Sequence, residues 1–167
     1  PGSQGVTLGI TDGFYPNNLW EYPVFQDVLV DIWDAISDRY RDESRIAMYE
    51  FINEPNNVPG GGPAIRDLTQ RLITMVRNKG DQHLIGVHGN GYSNVYDNML
   101  PSDFSPNRGL VYHAHRYWIE LQDDAIPNGN PNVINRMVDL VQFRQTHQVP
   151  IWVSETGENN NEWMAAN

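Results

Sequence analysis

Apolar runs and amphipathic stretches alternate along most of this 167-residue chain, and this alternation restricts its fold more than any other feature. Four short, nearly continuous apolar runs predict buried strands at 46–52, 83–87, 110–114 and 149–154. Apolar residues at helical spacing predict helices over 25–40, 65–76 and 134–143. Strands that are apolar on both faces and separated by helices are typical of a parallel α/β sheet.

Two of the predicted strands end in a glutamate that is followed at once by a turn-forming segment. Glu54 precedes Pro55, and Glu155 precedes a Thr-Gly pair. A carboxylate at the end of a buried strand costs free energy unless it has a partner or a function. Hydrolysis of a glycosidic bond needs two carboxyl groups, one to protonate the leaving oxygen and one to attack or stabilise the sugar carbon. In a β/α barrel, the C-terminal ends of the strands form the face that carries the chemistry.

Composition narrows the range of partners. The formal net charge is −10, and the 11 Lys and Arg residues are scattered along the chain. We therefore expect no nucleic-acid partner, because binding a nucleic acid needs a positively charged surface. A neutral polysaccharide is compatible with this acidic composition. No apolar stretch approaches the roughly 20 residues of a membrane span, so we expect no membrane partner. The chain has no cysteine, which excludes disulfides and thiolate metal sites. No glycine-rich phosphate loop follows any predicted strand, and we expect no cofactor.

Four segments together resemble motifs of glycoside hydrolase family 5, which belongs to the clan of β/α-barrel retaining glycosidases. The Asn-Glu-Pro triplet at 53–55 resembles the acid/base signature of the family, and 150–157 resembles its nucleophile strand. The segment 111–118, with its His-x-Tyr pair, resembles the strand between them, and 1–4 resembles the loop after the third strand. The order of the four motifs along the chain also agrees with the family.

The resemblance implies a (β/α)8 TIM-barrel type of fold. Residues 1–167 would form a partial glycoside hydrolase catalytic domain that covers strands four to seven, about half of the barrel. A complete barrel of this type takes about 250 residues. Half a barrel exposes two strand edges and apolar strand surface, so we expect either a longer gene product or self-association that completes the barrel. The resemblance also implies a secreted or periplasmic protein.

The resemblance also implies roles for five residues. Glu54 would act as general acid and then general base, and Glu155 as the nucleophile, with the two carboxyl groups about 5–5.5 Å apart. Asn53 would bind the sugar 2-hydroxyl. His115 and Tyr117 would orient the substrate and the carboxylates. Because strict strand alternation points Asn53 and Glu54 to opposite faces, we expect a bulge at that strand end.

Sugar rings have apolar faces on which aromatic side chains stack, and strand-end loops can supply such platforms. The residues expected to contact substrate are Trp20, His88, Tyr92, His113 and Trp118. Trp33 falls in a helical stripe and is expected in the core, and Trp152 alternates away from Glu155 and is expected beneath the helices. Glu50 is expected inside the barrel with a charged partner and is not expected to be catalytic.

The preferred functional prediction is a retaining endo-β-1,4-glucanase that hydrolyses a β-glucan by double displacement. β-1,3-Glucanase and β-mannanase activities stay open, because these residues do not determine the linkage. A non-catalytic, carbohydrate-binding half-barrel is a second alternative. A third is a metal-dependent hydrolase in which His113 and His115 are ligands on one strand. No third or fourth ligand stands out in the sequence, so no metal is expected.

Overall fold

The computed structural model describes residues 18–117 and 131–157, with the backbone alone for 18, 117, 131–136 and 157. Its elements in chain order are α1 (Asn18–Glu21), α2 (Pro23–Tyr40), β1 (Met48–Glu50), α3 (Gly61–Asn78), β2 (Leu84–Val87), α4 (Asn90–Ser93), a 3-10 turn (Pro101–Asp103), β3 (Leu110–Tyr117), α5 (Pro131–His147) and β4 (Ile151–Gly157). The four strands form one parallel sheet in the order β1-β2-β3-β4. Parallel strands in sequential order are what successive units of a β/α barrel produce, so the predicted α/β fold class is confirmed.

Helix α3 supplies the largest part of the core. Its apolar stripe, predicted from the helical spacing, is 0–1% exposed and consists of Ile65, Leu68, Leu72, Ile73 and Val76. Full burial of one such side chain stabilises a fold by about 1.5–3 kcal/mol. The helix ends where predicted, because Gly80 takes a left-handed conformation (φ 78°) and its N–H bonds to the carbonyl of Arg77 at 3.0 Å.

Helix α2 begins at Pro23, whose missing N–H is not needed in a first helical turn. The indole of Trp33 packs against Tyr49 and Phe51 and donates from Nε1 to the Phe51 carbonyl at 3.1 Å. The prediction that Trp33 lies in the core is therefore confirmed. Two members of the predicted stripe, Val28 and Ile32, are instead 48% and 51% exposed.

Helix α5 forms where predicted, but of the apolar residues in its predicted stripe whose side chains are described, only Phe143 packs against the core. The predicted stripe included Met137, Val138 and Val141, which are 37%, 42% and 48% exposed. Leu140 is buried and Phe143 packs against the aromatic rings of β3 and the preceding loop. The helix carries apolar residues on more than one face, so helical spacing alone could not identify the face that packs.

The first strand is shorter than predicted. β1 covers only Met48–Glu50, whereas the apolar run suggested 46–52. The chain leaves the sheet after Glu50, and the buried side chains of Phe51 and Ile52 join the core from an irregular segment. Phe51 and Ile52 are apolar because they are buried in the core, and this extended the apolar run from which the strand was predicted.

The sheet has two distinct faces. One face, carrying Tyr49, Ile85 and Tyr112, packs against the helices. We call the opposite face, which carries Glu50, Gly86, His113 and His115, the inner face. Position 86 requires glycine, because the Cβ of any other residue would lie 2.7 Å from Nε2 of His113.

A β-bulge between β3 and β4 changes which side chains reach the inner face. Ala114 pairs with Val153 and His115 with Glu155, so Ser154 is an extra residue in β4. Trp152 consequently lies on the inner face with its ring 5.4 Å from that of His113, and it is 53% exposed. The prediction that Trp152 packs beneath the helices was wrong, because alternation was counted through the bulge.

A buried polar network ties the N-terminal end of β2 to α2. Asp81 accepts from Ser37 Oγ at 2.8 Å and lies 2.6 Å from Nδ1 of His83. Arg77 donates to the Asp81 carbonyl at 2.8 Å. Among the described helices, none is both long and apolar enough to cross a membrane.

Candidate active site

The two predicted catalytic glutamates meet at the C-terminal edge of the sheet, on either side of one imidazole. Nδ1 of His115 lies 2.8 Å from Oε1 of Glu54, and Nε2 lies 3.6 Å from Oε1 of Glu155. One carboxylate oxygen of each glutamate and one ring nitrogen of His115 all lie within 4.8 Å of one another. The two carboxyl groups are therefore close enough to act on the same bond.

Glu54 reaches the site through an unusual backbone conformation. Its φ is 49°, in the left-handed region that non-glycine residues seldom adopt, and Pro55 follows it. The bulge expected at this strand end is absent, because β1 has already ended at Glu50. Because Asn53 and Glu54 lie beyond the end of β1, strand alternation does not force their side chains to opposite faces. The side chain of Glu54 is 14% exposed.

Glu155 reaches the site through the bulge in β4. The extra residue, Ser154, turns Glu155 onto the same face as its register partner His115. Its side chain is 38% exposed, so it is the more accessible of the two carboxylates. Without the bulge, Glu155 would point toward the helices.

A second layer of polar side chains lies on the inner face beneath this pair. Glu50 places Oε1 2.9 Å from Nε2 of His88 and Oε2 3.8 Å from Nδ1 of His113. The rings of His88 and His113 are 4.6 Å apart, and His88 meets His115 edge-on at 5.4 Å. Glu50 thus lies on the inner face with two imidazole partners, but its side chain is 40% exposed, so the expectation of a buried glutamate with a charged partner is met only in part.

Burial and the neighbouring side chains set the charges in this layer. Burial is the main cause that lowers the pKa of His113 to about 4, and the nearby His88 and His115 act in the same direction. The contact with His88 is the main cause that lowers the pKa of Glu50. At neutral pH, His113 is therefore uncharged and Glu50 is ionised.

The residues expected to contact sugar occupy different environments. Tyr92 is 50% exposed, and its N–H donates to the carbonyl of Pro55 at 3.1 Å, which holds the loop after β2 beside Glu54. Trp20 lies in α1, partly buried against the core. His88 and His113 are 1% and 0% exposed, and this burial favours a role beneath the site over direct contact with sugar.

Other predicted residues are only partly defined. Asn53 is partly buried in the bend before Glu54. Tyr117 pairs with Gly157 through its backbone at the end of β3, and its side chain is outside the described residues. Trp118 and the loop at 1–4 also lie outside the described residues.

Two serines near the site were not predicted. Ser93 Oγ lies 2.5 Å from Nδ1 of His88, and Ser154 Oγ lies 3.0 Å from Nδ1 of His113. Ser93 sits in a left-handed turn and Ser154 at the bulge, and neither feature has a clear signal in the sequence. The hydroxyl of Tyr96 also donates to the carbonyl of His113.

Comparison with known proteins places the chain in a family. The model of the cellulase family, glycosyl hydrolase family 5, matches residues 17–167. A β-xylosidase from Phanerodontia chrysosporium is 26% identical over 102 residues, which are 59% of this chain and 20% of that protein. Endoglucanase H from Acetivibrio thermocellus is 25% identical over 87 residues, which are 52% of this chain and 9% of that protein.

Solved structures of known proteins share the fold of this chain. Cel5A from Thermotoga maritima, in complex with mannotriose, superposes with a TM-score of 0.69 at 15% identity, covering 89% of this chain and 54% of that one. The endo-β-1,4-glucanase Xac0030 from Xanthomonas axonopodis pv. citri superposes with a TM-score of 0.66 at 18% identity, covering 84% and 48%. This chain thus spans about half the length of these solved chains and much less of the curated relatives. Its parallel sheet corresponds to part of a TIM barrel, and the chain belongs to the cellulase family, glycosyl hydrolase family 5.

Proposed function

We propose that this chain carries the catalytic pair of a retaining endo-β-1,4-glucanase that hydrolyses a neutral β-glucan. The observation that supports the proposal most strongly is the convergence of Glu54, His115 and Glu155 within 4.8 Å at the C-terminal edge of the sheet. Retaining glycosidases hold their two carboxyl groups about 5–5.5 Å apart, whereas inverting enzymes need about 6.5–9.5 Å to admit a water molecule.

The reaction then follows two displacements. The carboxylate of Glu155 attacks the anomeric carbon while the protonated carboxyl of Glu54 gives its proton to the leaving glycosidic oxygen. The product is a glycosyl ester on Glu155. Glu54, now ionised, removes a proton from a water molecule that attacks the same carbon and displaces Glu155. The product keeps the β configuration, and both carboxyl groups return to their starting states.

His115 acts as a positioning residue in this scheme. A proton on Nδ1 lets the ring donate to Oε1 of Glu54, at 2.8 Å, and this contact orients the carboxyl group that acts as the acid. The ring lies between the two carboxylates, and its side chain is only 1% exposed, so its orientation is restricted by packing. Asn53 and Tyr117 complete the group as contacts to the sugar and to the nucleophile.

A polysaccharide substrate is supported by the structures of similar fold and by one exposed aromatic ring, and β-glucan is the substrate that we propose. Among the structures of similar fold, XacCel5A was solved with cellopentaose and Thermotoga maritima Cel5A with mannotriose. Tyr92 is held beside the Glu54 turn and exposes half of its surface, as a platform for a sugar ring requires. We propose Trp20 and Trp118 as further platforms. β-Mannan and β-1,3-glucan are the alternative substrates.

Matched substitutions test the proposal. In Glu54→Gln and Glu155→Gln, hydrolysis of carboxymethylcellulose should fall by at least about a hundredfold, the lower end of what general acid–base catalysis contributes. Glu21→Gln, which changes an exposed glutamate of α1, is the matched control and should retain activity. Circular dichroism shows whether each variant is folded. Unchanged turnover in folded Glu155→Gln protein would refute the assignment.

The non-catalytic alternative predicts a different outcome. A carbohydrate-binding half-barrel would bind cellohexaose in a calorimeter but release no reducing sugar. Under the proposed function, both binding and release are observed. NMR of the fresh product then decides the stereochemistry, because β-cellobiose must appear before mutarotation and the α anomer would contradict a double displacement.

A further inference from the structure

Three buried imidazoles converge on the inner face of the sheet. His88 directly follows β2, and His113 and His115 lie two residues apart on β3, so all three side chains point to the same side. One ring nitrogen of each lies within 4.8 Å of the others, and the three residues are 0–2% exposed. The sequence showed only the pair on β3, because the third imidazole comes from a neighbouring strand.

The other groups around these rings favour metal binding over simple packing. Nδ1 of His88 is held by the hydroxyl of Ser93, and Nδ1 of His115 is held by the carboxylate of Glu54. The Nε2 atoms of the same two rings are buried, and each faces a carboxylate oxygen, that of Glu50 at 2.9 Å from His88 and that of Glu155 at 3.6 Å from His115. A metal-binding histidine has this arrangement, in which one nitrogen is fixed by an oxygen and the other keeps a free lone pair.

The carboxylate of Glu50 lies next to one of these ring nitrogens, Nε2 of His88. Oε1 of Glu50 is 2.9 Å from Nε2 of His88, although the two atoms form no hydrogen bond of normal geometry. The group therefore offers three imidazole nitrogens and one carboxylate oxygen. Three imidazoles and a carboxylate match the preferences of zinc and its neighbours in the first transition series, and not those of magnesium or calcium.

We propose that His88, His113 and His115, together with Glu50, form a binding site for a divalent transition-metal ion, with zinc as the best fit. Tetrahedral zinc, with ligands at about 2.0–2.2 Å, places its donors about 3.4 Å apart, so a small rotation of the rings closes the site around the ion. The hydrolysis proposed above does not use this ion.

Bound zinc should inhibit hydrolysis. This expected inhibition rests on the proposed function, whereas the binding of zinc does not. Oε1 of Glu155 is 3.6 Å from Nε2 of His115, so an ion bound at that nitrogen would also attract the carboxylate that attacks the sugar. Chelation should restore the activity. Binding itself is measured without substrate, so a failure of the enzymatic assignment leaves the metal proposal testable.

Calorimetry and thermal unfolding test the site directly. Chelator-treated protein titrated with ZnCl₂ should bind one ion per chain and unfold at a higher temperature, and MgCl₂ should do neither. His88→Asn and His113→Asn should abolish stoichiometric binding. Ser93→Ala should weaken it by about 10- to 100-fold, as loss of a supporting hydrogen bond does. His147→Asn, on α5 and outside the group, is the matched control and should bind zinc normally.

A spectroscopic measurement on the unaltered protein covers the case in which a variant does not fold. Co²⁺ in a four-coordinate site of nitrogen and oxygen ligands gives strong visible absorption, which zinc should displace at one equivalent. A cobalt spectrum like that of the free aqueous ion would overturn the proposal. So would zinc binding that is unchanged in folded His88→Asn protein.

Discussion

At the scale of single residues, the site depends on one imidazole that contacts both carboxylates. Glu54 and Glu155 were predicted because each ends an apolar run, where a polar side chain is conspicuous, and His115 was predicted from the resemblance of 111–118 to the family motif. It could not show that Trp152 and Ser154 lie on the same face as Glu155, because that depends on one extra residue in β4. The serine that holds His88 was also invisible, since a serine five residues from a histidine is unremarkable.

The position of His115 predicts a selective kinetic defect. In His115→Gln protein assayed with a chelator present, kcat for cellotetraose should fall about a hundredfold, because a misplaced acid loses its alignment with the leaving oxygen. A substrate with a good leaving group, such as an aryl cellobioside, needs little protonation and should be affected much less. Equal losses on both substrates would show that His115 does not act through Glu54.

At the scale of elements, helices were easier to predict than strand ends. α3 repeats its apolar residues at a spacing typical of a helix, and its C-terminal end followed from Gly80, although the helix begins at Gly61, four residues before the predicted stripe. The end of β1 was not predictable, because Phe51 and Ile52 are buried without being paired in the sheet. In α5 the apolar residues cover several faces, and only contact with Tyr96 and Tyr112 determines which face packs.

The network that joins α2 to β2 predicts how stability depends on pH. Burial alone would raise the pKa of Asp81, but hydrogen bonds from His83 and Ser37 outweigh it and lower that pKa. Burial alone would lower the pKa of His83, but the contact with Asp81 and the carbonyl of Glu43 outweigh it and raise that pKa, against a smaller opposing effect of Arg77. The Asp81 contribution is lost as pH falls below about 4, and the His83 contribution is lost as pH rises above about 6.5.

Urea unfolding at pH values from 3 to 9 measures this dependence. The contribution of Asp81 and His83 to the free energy of unfolding should be highest between about pH 4 and 6.5. Asp81→Asn should lower it by about 1–3 kcal/mol near pH 6, because His83 and Ser37 lose a charged acceptor. The variant should also lose much of the difference between pH 6 and pH 3. An identical pH profile in Asp81→Asn and unaltered protein would contradict this interpretation.

At the scale of the whole molecule, the described part of the sheet has two outer strands and apolar surface beside them. β1 and β4 each pair with one neighbour only among the described strands. Trp152 on β4 is 53% exposed, and Val28 and Ile32 on α2 are about half exposed. The α/β class could be predicted because successive units repeat a local pattern of strand and helix, whereas the barrel type was predicted from the resemblance to glycoside hydrolase family 5. What covers these outer strands depends on distant contacts, which no local pattern encodes.

These exposed surfaces predict self-association of the 167-residue chain. Sedimentation velocity at tens of micromolar should show a dimer or larger particle, because paired edges and buried apolar side chains stabilise it. Trp152→Ser should shift the distribution of particle sizes toward monomer. Tyr22→Ser, which removes an exposed ring on the α2 side of the molecule, is the control for the loss of a surface aromatic residue in general. A single monomeric boundary at these concentrations would contradict the prediction.

Covalent trapping of the nucleophile tests the account most directly. A 2-deoxy-2-fluoro cellobioside with a good leaving group forms the glycosyl ester but hydrolyses slowly, so the labelled residue can be identified by mass spectrometry of peptides. We predict one label per active site, carried by Glu155 and absent from Glu155→Gln protein. A label on another residue, or hydrolysis of cellulose derivatives by protein that is never labelled, would contradict the assignment of Glu54 and Glu155 as a retaining pair.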